Sequence, residues 1–492
     1  MTYAHFLIFI YSLTPQQNGH YLNNSYEALY YRPSKNITTH NSLKTFSVPH
    51  DSVWFNPSAK ESLIHIKPII DVSLAAGNNK NKFLYSSREG GSLLLTGQRL
   101  SVSLAAWHNI SAFPDMMEKQ IDSLQFIPRY GHNFTKKEAL YSWFDARGNI
   151  NFRPWSFLSL STGRDKFFIG NGKRSLFLSD NSGAFGYFST NLKIWHIQYI
   201  NLVTFLKDTY TTDNNISYKR KYAVFHYISW NINPSLNVDF FESVVWKNND
   251  SILHRGFDVN YLNPVIFMRP VEYSSGSTDN ALIGLGLNIR FLKDMLFYSQ
   301  FIIDEFYASE FFKGNGFFTN KYGMQAGIRN YNACSNKLKW LLEFNMVRPF
   351  TFSHYNSLQN YGNQRQPLAH PIGANFAEGL GEINILNNRI ISTARLSFAI
   401  IGKDNLSENY GNDIYKNYWN VDDLYGHYLL QGIKTKQVNL LLQTGYLVKP
   451  EWNLVLNCGI ILQKQYSDFN NDNYIYFTTG LKTLLYNDEW FK

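Results

Sequence analysis

The sequence predicts an all-β fold: one closed, antiparallel transmembrane β-barrel of about 16–18 strands, with a short helical element and long extracellular loops. Three observations predict it. Segment after segment alternates apolar and polar residues with period two, as a strand with one wet face must. No apolar run approaches the roughly 18 residues that a spanning helix needs. Mean hydropathy is −0.29, so a helical membrane protein is excluded. Finally, aromatic residues make up 17% of the 492 residues and charged residues another 17%. Soluble domains carry roughly 25% charge. Rings at this density suit the interfacial girdles of a membrane barrel, and they suit a sugar-binding surface equally.

Residues 1–17 read as a weak or truncated signal peptide. Phe6 to Leu13 is an apolar run, but the basic start of a secretory signal is missing. An ordinary first strand would explain the same run. Residues 18–61 are polar and irregular, with Pro33, Pro49 and Pro57. They read as an extended lead-in that touches the barrel without joining its wall. The barrel itself is assigned to 62–492.

The wall begins at Leu63, where Ile64, Ile66, Ile70, Val72 and Leu74 alternate with His65, Lys67, Asp71 and Ser73. Leu100, Val102 and Leu104 repeat the pattern. Phe113 to Leu124 is the helix candidate. Pro114 and Asp115 suit a first turn, and Met117, Gln120, Ile121 and Leu124 share one face, which suits buried packing. Strands follow over Tyr141–Phe152 and Ser156–Arg164, with Arg153-Pro154-Trp155 as their turn. Leu192–Leu206 reads as one strand. Tyr222–Asn231 and Leu236–Trp246 flank a Pro- and Asn-containing turn.

Leu282–Phe291 and Leu338–Val347 are the clearest strands. In the second, Leu338, Trp340, Leu342, Phe344 and Met346 oppose Lys339, Glu343 and Asn345. Lipid outside and a polar lumen inside explain such a pair of faces. Ile390–Ile401, Val438–Tyr446, Trp452–Leu462 and Tyr474–Leu485 complete the series. Long polar segments, Lys247–Asn280, Arg348–Glu378 and Lys403–Gln431, alternate with tight turns such as Lys449-Pro450-Glu451. Outer-membrane barrels alternate long outer loops with short periplasmic turns in this way.

The stretch Asp165–Asn181 concentrates charge: Asp165, Lys166, Lys173, Arg174 and Asp180 surround a Gly170-Asn171-Gly172 pivot. Buried unpaired ions are strongly disfavoured, so a wall strand pair facing a polar lumen is expected here, with a turn or bulge at the glycines. The sequence GNGKR lacks the spacing of a phosphate-binding loop. Asp145, Asp165, Asp180, Glu242 and Glu272 each have a cation nearby in the chain, among Arg147, Lys166, Arg174 and Arg269. Lumenal ion pairs explain them better than an acid/base dyad.

The formal charge of +9 admits an anionic partner, but the cations are scattered along the loops. Nucleic-acid binding has no motif in its favour. Cys334 and Cys458 fit no zinc or CxxC spacing and read as isolated strand residues. No nucleophile elbow, metal-binding histidine pair or cofactor motif is present. The expectation is a protein that is not an enzyme and needs no cofactor or metal.

The loop from Tyr355 to Glu378 is long and rich in rings and amides, the groups with which a carbohydrate site is built. A loop packed on itself over the lumen would have the same composition. Tyr261 to Tyr273 admits the same two readings. The candidate ligand or lumen residues are Asp165, Lys166, Lys173, Arg174, Asp180, Arg269, Glu272, Tyr273, Tyr361, His370 and Asn375.

Three stretches carry a resemblance: GNGKRSLFLSDN (170–181), YLNPVIFMRPVE (261–272) and QPLAHPIGANFAE (366–378). They resemble the Wzi-like capsule-assembly barrels, and more closely the Bacteroidota branch of gliding-motility protein RemB. The resemblance runs from about Ser62 to the C-terminus. It implies a barrel of about 18 strands in a Gram-negative outer membrane. It also implies a role in gliding motility in one branch and in holding exported polysaccharide in the other. The implied partners are outer-membrane lipid and lipopolysaccharide, surface polysaccharide and motility-apparatus proteins. The resemblance supplies no catalytic residues.

Three functions stay open: a non-enzymatic organiser of motility or surface polymer, a lectin-like polysaccharide-binding barrel, and a diffusion porin. The charged stretch 165–180 and the long loops point to an occluded lumen, and so away from the third.

Overall fold

The computed structural model describes residues 44–45, 63–78, 83–212, 215–248, 256–258, 261, 279–292, 294–333, 337–405, 407–421, 423–449, 452–469 and 471–483. Within them the chain forms a closed antiparallel barrel of 18 strands. The first nine are β1 (Leu63–Gly77), β2 (Phe83–Thr96), β3 (Leu100–Ser111), β4 (Leu140–Trp155), β5 (Leu158–Asp165), β6 (Phe185–Ile194), β7 (Ile197–Thr212), β8 (Asn215–Asn233) and β9 (Leu236–Lys247). Then come β10 (Asn280–Phe291), β11 (Met295–Glu305), β12 (Lys321–Ala333), β13 (Leu338–Val347), β14 (Phe376–Asn387), β15 (Ile390–Lys403), β16 (Ile433–Lys449), β17 (Leu454–Tyr466) and β18 (Asn471–Lys482). Each pairs with the next, and β18 closes on β1 with Val72 opposite Leu481.

The connections after even-numbered strands are all short, such as 156–157, 195–196 and 388–389. Those after odd-numbered strands include every long one: 112–139, 166–184, 248–279, 306–320, 348–375 and 404–432. One end of the barrel therefore carries turns and the other carries loops. In outer-membrane barrels these are the periplasmic and outer ends.

Closure removes every sheet edge, and the pleat then sorts the side chains. On β13, Leu342 and Phe344 point outward and are 60% and 48% exposed, while Glu343 and Asn345 point inward and are buried. Ile66, Leu104, Leu285, Leu396, Leu456 and Phe477 extend the exposed apolar face around the wall. Such a contiguous belt is unfavourable in water and favourable in lipid. Near the turn end, Trp155 stacks on Phe157 with ring centroids 5.8 Å apart, and exposed Trp195 is a further girdle ring. Among the described residues no helix is long and apolar enough to cross a membrane.

The structure corrects three sequence-based boundaries. Arg153-Pro154-Trp155 is not a turn but the end of β4, where the register shifts between Phe152 and Trp155. That irregularity accommodates a proline that cannot donate to the ladder. Leu192–Leu206 is two strands, because Trp195 adopts φ 55° and reverses the chain. Sequence alternation continues across that turn, so period alone could not reveal it. Thirdly, the wall ends at Asp165, and the stretch that follows is not a wall strand.

The helix α1 (Asp115–Leu124) starts after Pro114, with Asp115 and Glu118 in its first turn. Its buried Ile121 joins a cluster with Ile69, Trp107, Tyr141 and Trp143, side chains that project into the lumen from β1, β3 and β4. Elsewhere, Phe257 and Tyr261 of the connection 248–279 pack on Tyr222 and Trp246, on the outward face. Glu242 shares that face and lies 3.3 Å from His226. It is therefore not the lumenal ion that the sequence suggested. Residues 1–17 and most of 18–61 lie outside the described residues, as does Cys334. Cys458 is an exposed residue of β17.

Candidate functional site in the lumen

After Asp165 the chain turns inward. Lys166 to Ala184 fills the lumen, and every residue in it except Lys173 is buried. Asp165 Oδ1 accepts from the backbone N–H of Lys166 at 2.8 Å and starts the inward turn. A hairpin follows, bridged between Ile169 and Leu178. Phe167–Phe168 also pairs with Lys44–Thr45 of the lead-in.

The glycines at the hairpin tip let backbone approach wall. A Cβ on Gly172 would lie 2.3 Å from Glu343 Oε2, and one on Gly170, at φ 138°, would lie 2.6 Å from Gln300 Nε2. The GNG motif is therefore a close-packing motif. The predicted turn is present, but as the tip of a lumenal plug rather than a wall hairpin.

Glu343 is the hub beneath the tip. Its carboxylate accepts from the backbone N–H groups of Lys173 at 2.8 Å and Arg174 at 3.1 Å. It also accepts from Tyr298 Oη at 2.8 Å and Asn345 Nδ2 at 2.9 Å. The Arg174 side chain reaches Glu378 on β14 through Nε at 3.2 Å and Nη2 at 3.0 Å. His370 Nε2 meets the same carboxylate at 2.8 Å. A two-point guanidinium–carboxylate contact fixes both angle and distance. Lys173 Nζ lies 3.5 Å from Glu382, which Arg395 holds at 2.6 Å.

Gln300 accepts from the backbone N–H of Leu176 at 2.8 Å and donates to the Ile169 carbonyl at 3.1 Å. Asp180 pairs with Arg129 at 2.5 Å, and Lys166 Nζ lies 3.5 Å from the Asp180 carbonyl. Sequence proximity had suggested Arg174 for Asp180. The actual partners come from distant strands and loops.

The connection 348–375 folds into the same space. Tyr361 has no exposed surface. It donates to the Phe177 carbonyl at 2.5 Å and stacks on Phe352 at 5.5 Å. Phe177 stacks in turn on Phe241 of the wall at 4.7 Å. Leu176, Phe177 and Leu178 join Ile200, Phe225 and Leu282 in one buried apolar cluster. Asn375 ties the rim together: it accepts from the Leu430 N–H at 2.7 Å and donates to the Gly402 carbonyl at 2.7 Å.

At the outer mouth, Lys321 bridges Asp304 at 3.2 Å and Glu305 at 3.0 Å, and Tyr418 donates to Glu305 at 3.0 Å. Burial, with Glu305 beside it, pushes the Tyr418 hydroxyl pKa up. Burial, aided by Lys321, holds His354 down at about 3.

Asp165, Lys166, Lys173, Arg174, Asp180, Tyr361, His370 and Asn375 thus converge on one plug and its seams. All except half-buried Lys173 are buried. Arg269, Glu272 and Tyr273 lie outside the described residues. Sequence reasoning did not single out Glu378, Gln300 or Arg129. Glu343 was visible only as a wet-face residue of its strand.

These features can be set beside known proteins. Wzi of Escherichia coli, an outer-membrane carbohydrate-binding β-barrel involved in group 1 capsule assembly, matches with TM-score 0.52 at 14% identity, over 84% of each chain. The fold is that of an outer-membrane β-barrel. Acinetobacter baumannii OccAB4 matches with TM-score 0.45 at 7% identity, over 87% of this chain and 98% of that one. Pseudomonas aeruginosa OprD matches with TM-score 0.43 at 10% identity, over 85% of this chain and 94% of that one. No family model and no curated protein matches the sequence.

Proposed function

We propose that this barrel is a non-enzymatic protein of the Gram-negative outer membrane that organises or anchors surface polysaccharide at its outer end. The observation that carries this reading is the plug. With Lys166–Ala184 and much of 348–375 packed into the lumen around an apolar cluster and fastened by buried ion pairs, the wall is poorly suited to diffusion. The outer loops are then what the barrel has to offer. The carbohydrate-binding barrel Wzi shares the fold, and the sequence resemblance points the same way.

The RemB-like resemblance supports a second reading, in which the barrel serves gliding motility, with motility-apparatus proteins as partners. Single-cell tracking of a clean deletion strain on glass and agar, with capsule staining of the same cells, separates the two. Intact gliding with shed capsule supports the polymer reading. Lost gliding with intact capsule supports the motility reading. Normal gliding with normal capsule removes both.

A further inference from the structure

We infer that the outer mouth carries a glycan-stacking platform built on Trp419, Tyr425 and Tyr428, suited to neutral sugars rather than to a polyanion. This rests on the polysaccharide reading above and adds the place and the chemical class.

The three rings belong to the connection 404–432 and their supports to the connection 306–320. Trp419 is 55% exposed, Tyr425 48% and Tyr428 57%. They are held from beneath. Trp419 packs on Phe318 at 5.2 Å, and Tyr425 packs on Phe317 at 5.4 Å. Phe317 and Phe318 contact each other at 5.4 Å, so the two exposed rings share one aromatic footing, buried at Phe318 and half-buried at Phe317. The Tyr428 hydroxyl reaches the Gly314 carbonyl at 3.4 Å. Rings fixed in this way lose little freedom when a ligand covers them.

The Trp419 end of the platform lies over the mouth and not against the wall. Tyr418, adjacent to Trp419, sits 4.3 Å above the ammonium of Lys321, which has no exposed surface and faces the lumen. A second set of rings in the same connections goes the other way. Helix α2 (Ala308–Lys313) places Phe311 6.1 Å from Tyr322, a ring on the outward pleat of β12, and leaves Phe312 84% exposed. That set suits the membrane interface. The Trp419 set has exposed Asn420 and Asp423 beside it, polar neighbours that suit water and sugar hydroxyls instead.

Charge selects the class of glycan. The chain as a whole is at +9. Yet the described residues of these two connections include Glu310, Asp404, Glu408, Asp413 and Asp423 against Lys313 and Lys416. The net negative charge of these two connections, beside which Arg348 donates to the His427 carbonyl, disfavours an acidic polymer. A neutral sugar can lay its apolar face on indole or phenol and bond its hydroxyls to carboxylates and amides.

The test uses the full-length barrel in detergent and the surface polysaccharide of the parent strain, split by anion exchange into neutral and acidic fractions. Binding is measured by biolayer interferometry for wild type, for Trp419→Ala, for the Trp419→Ala/Tyr425→Ala/Tyr428→Ala variant and for Phe312→Ala. Heat-modifiable migration verifies that each is folded, and the single variant serves should the triple one fail to fold. The expected result is binding of the neutral fraction, a loss on the order of tenfold for Trp419→Ala and more for the triple variant, and no change for Phe312→Ala. Wild-type binding that survives loss of the rings overturns the platform and leaves the polysaccharide reading standing. Binding of the acidic fraction alone overturns the neutral class. Failure of wild type to bind either fraction removes the reading and the platform together.

Discussion

The guanidinium of Arg174 lies 3.0 Å from the carboxylate of Glu378, a residue 204 positions away in sequence. The first is at the tip of a lumenal hairpin and the second is on the wall. Their contact fastens the plug, and both groups are buried. Breaking such a pair from one side leaves an uncompensated ion, at a cost of about 3–5 kcal/mol, whereas replacing both by apolar groups costs far less. Glu378→Gln is therefore expected to lower the urea midpoint of the refolded barrel and raise its conductance. Arg174→Met combined with Glu378→Leu is expected to recover part of the stability, since buried His370 also loses its bond to this carboxylate. An unchanged midpoint for Glu378→Gln would contradict the assignment.

Gly172 has no room for a side chain between Glu343 and the Arg174 carbonyl, which a Cβ would meet at 2.3 and 2.6 Å. The hub carboxylate cannot retreat without releasing two backbone N–H groups. Gly172→Val is expected to displace the hairpin tip at a cost of roughly 1–3 kcal/mol. In planar bilayers this variant should show larger and noisier conductance than wild type, and deletion of Lys166–Ala184 a larger one still. Equal conductance of wild type and deletion would show that the plug does not obstruct the lumen.

The mouth should respond to acid through His354. Its imidazole is held at about 3 in the folded chain, against roughly 6.5 for an unfolded histidine. Between those values the unfolded chain takes up a proton that the folded chain refuses. Stability from this site is therefore complete above about pH 6.5 and declines as pH falls towards 3, with a limiting slope of about 1.4 kcal/mol per unit. Urea titrations at pH 7 and 5 should show the decline in wild type and a flatter profile in His354→Gln.

The orientation of the wall predicts opposite outcomes for two substitutions at one residue. Leu342 faces lipid and is 60% exposed. Leu342→Arg near the bilayer midplane should cost about 2–4 kcal/mol and slow insertion into vesicles. Leu342→Phe should be nearly neutral, since it keeps an apolar outward face. A benign Leu342→Arg would mean that this face does not meet hydrocarbon.

The wall was legible in the sequence because a strand's two faces meet different solvents, and period two records that difference locally. Leu338–Val347 has the same bounds in sequence and structure. The division between turns at one end and loops at the other was legible for the same reason. What period could not convey was which alternating stretch leaves the wall. Asp165–Asn181 reads as a wall strand pair, yet its Leu176, Phe177 and Leu178 pack inside the barrel in a cluster with Phe241 and Tyr361.

Asp145 keeps its chain neighbour Arg147 at 3.0 Å, but other partners were lost in the same way. Asp180 pairs with Arg129 and Arg174 with Glu378, because barrel closure brings strands and loops together without regard to sequence distance. The sequence by itself determined a closed wall with lipid outside and polar groups within. The charged stretch and the long loops also pointed to an occluded lumen, but only the tertiary structure decided that Lys166–Ala184 leaves the wall to fill it, and which ions fasten the filling. The reason is physical: the wall follows from local periodicity, whereas a plug depends on contacts among residues far apart in the chain.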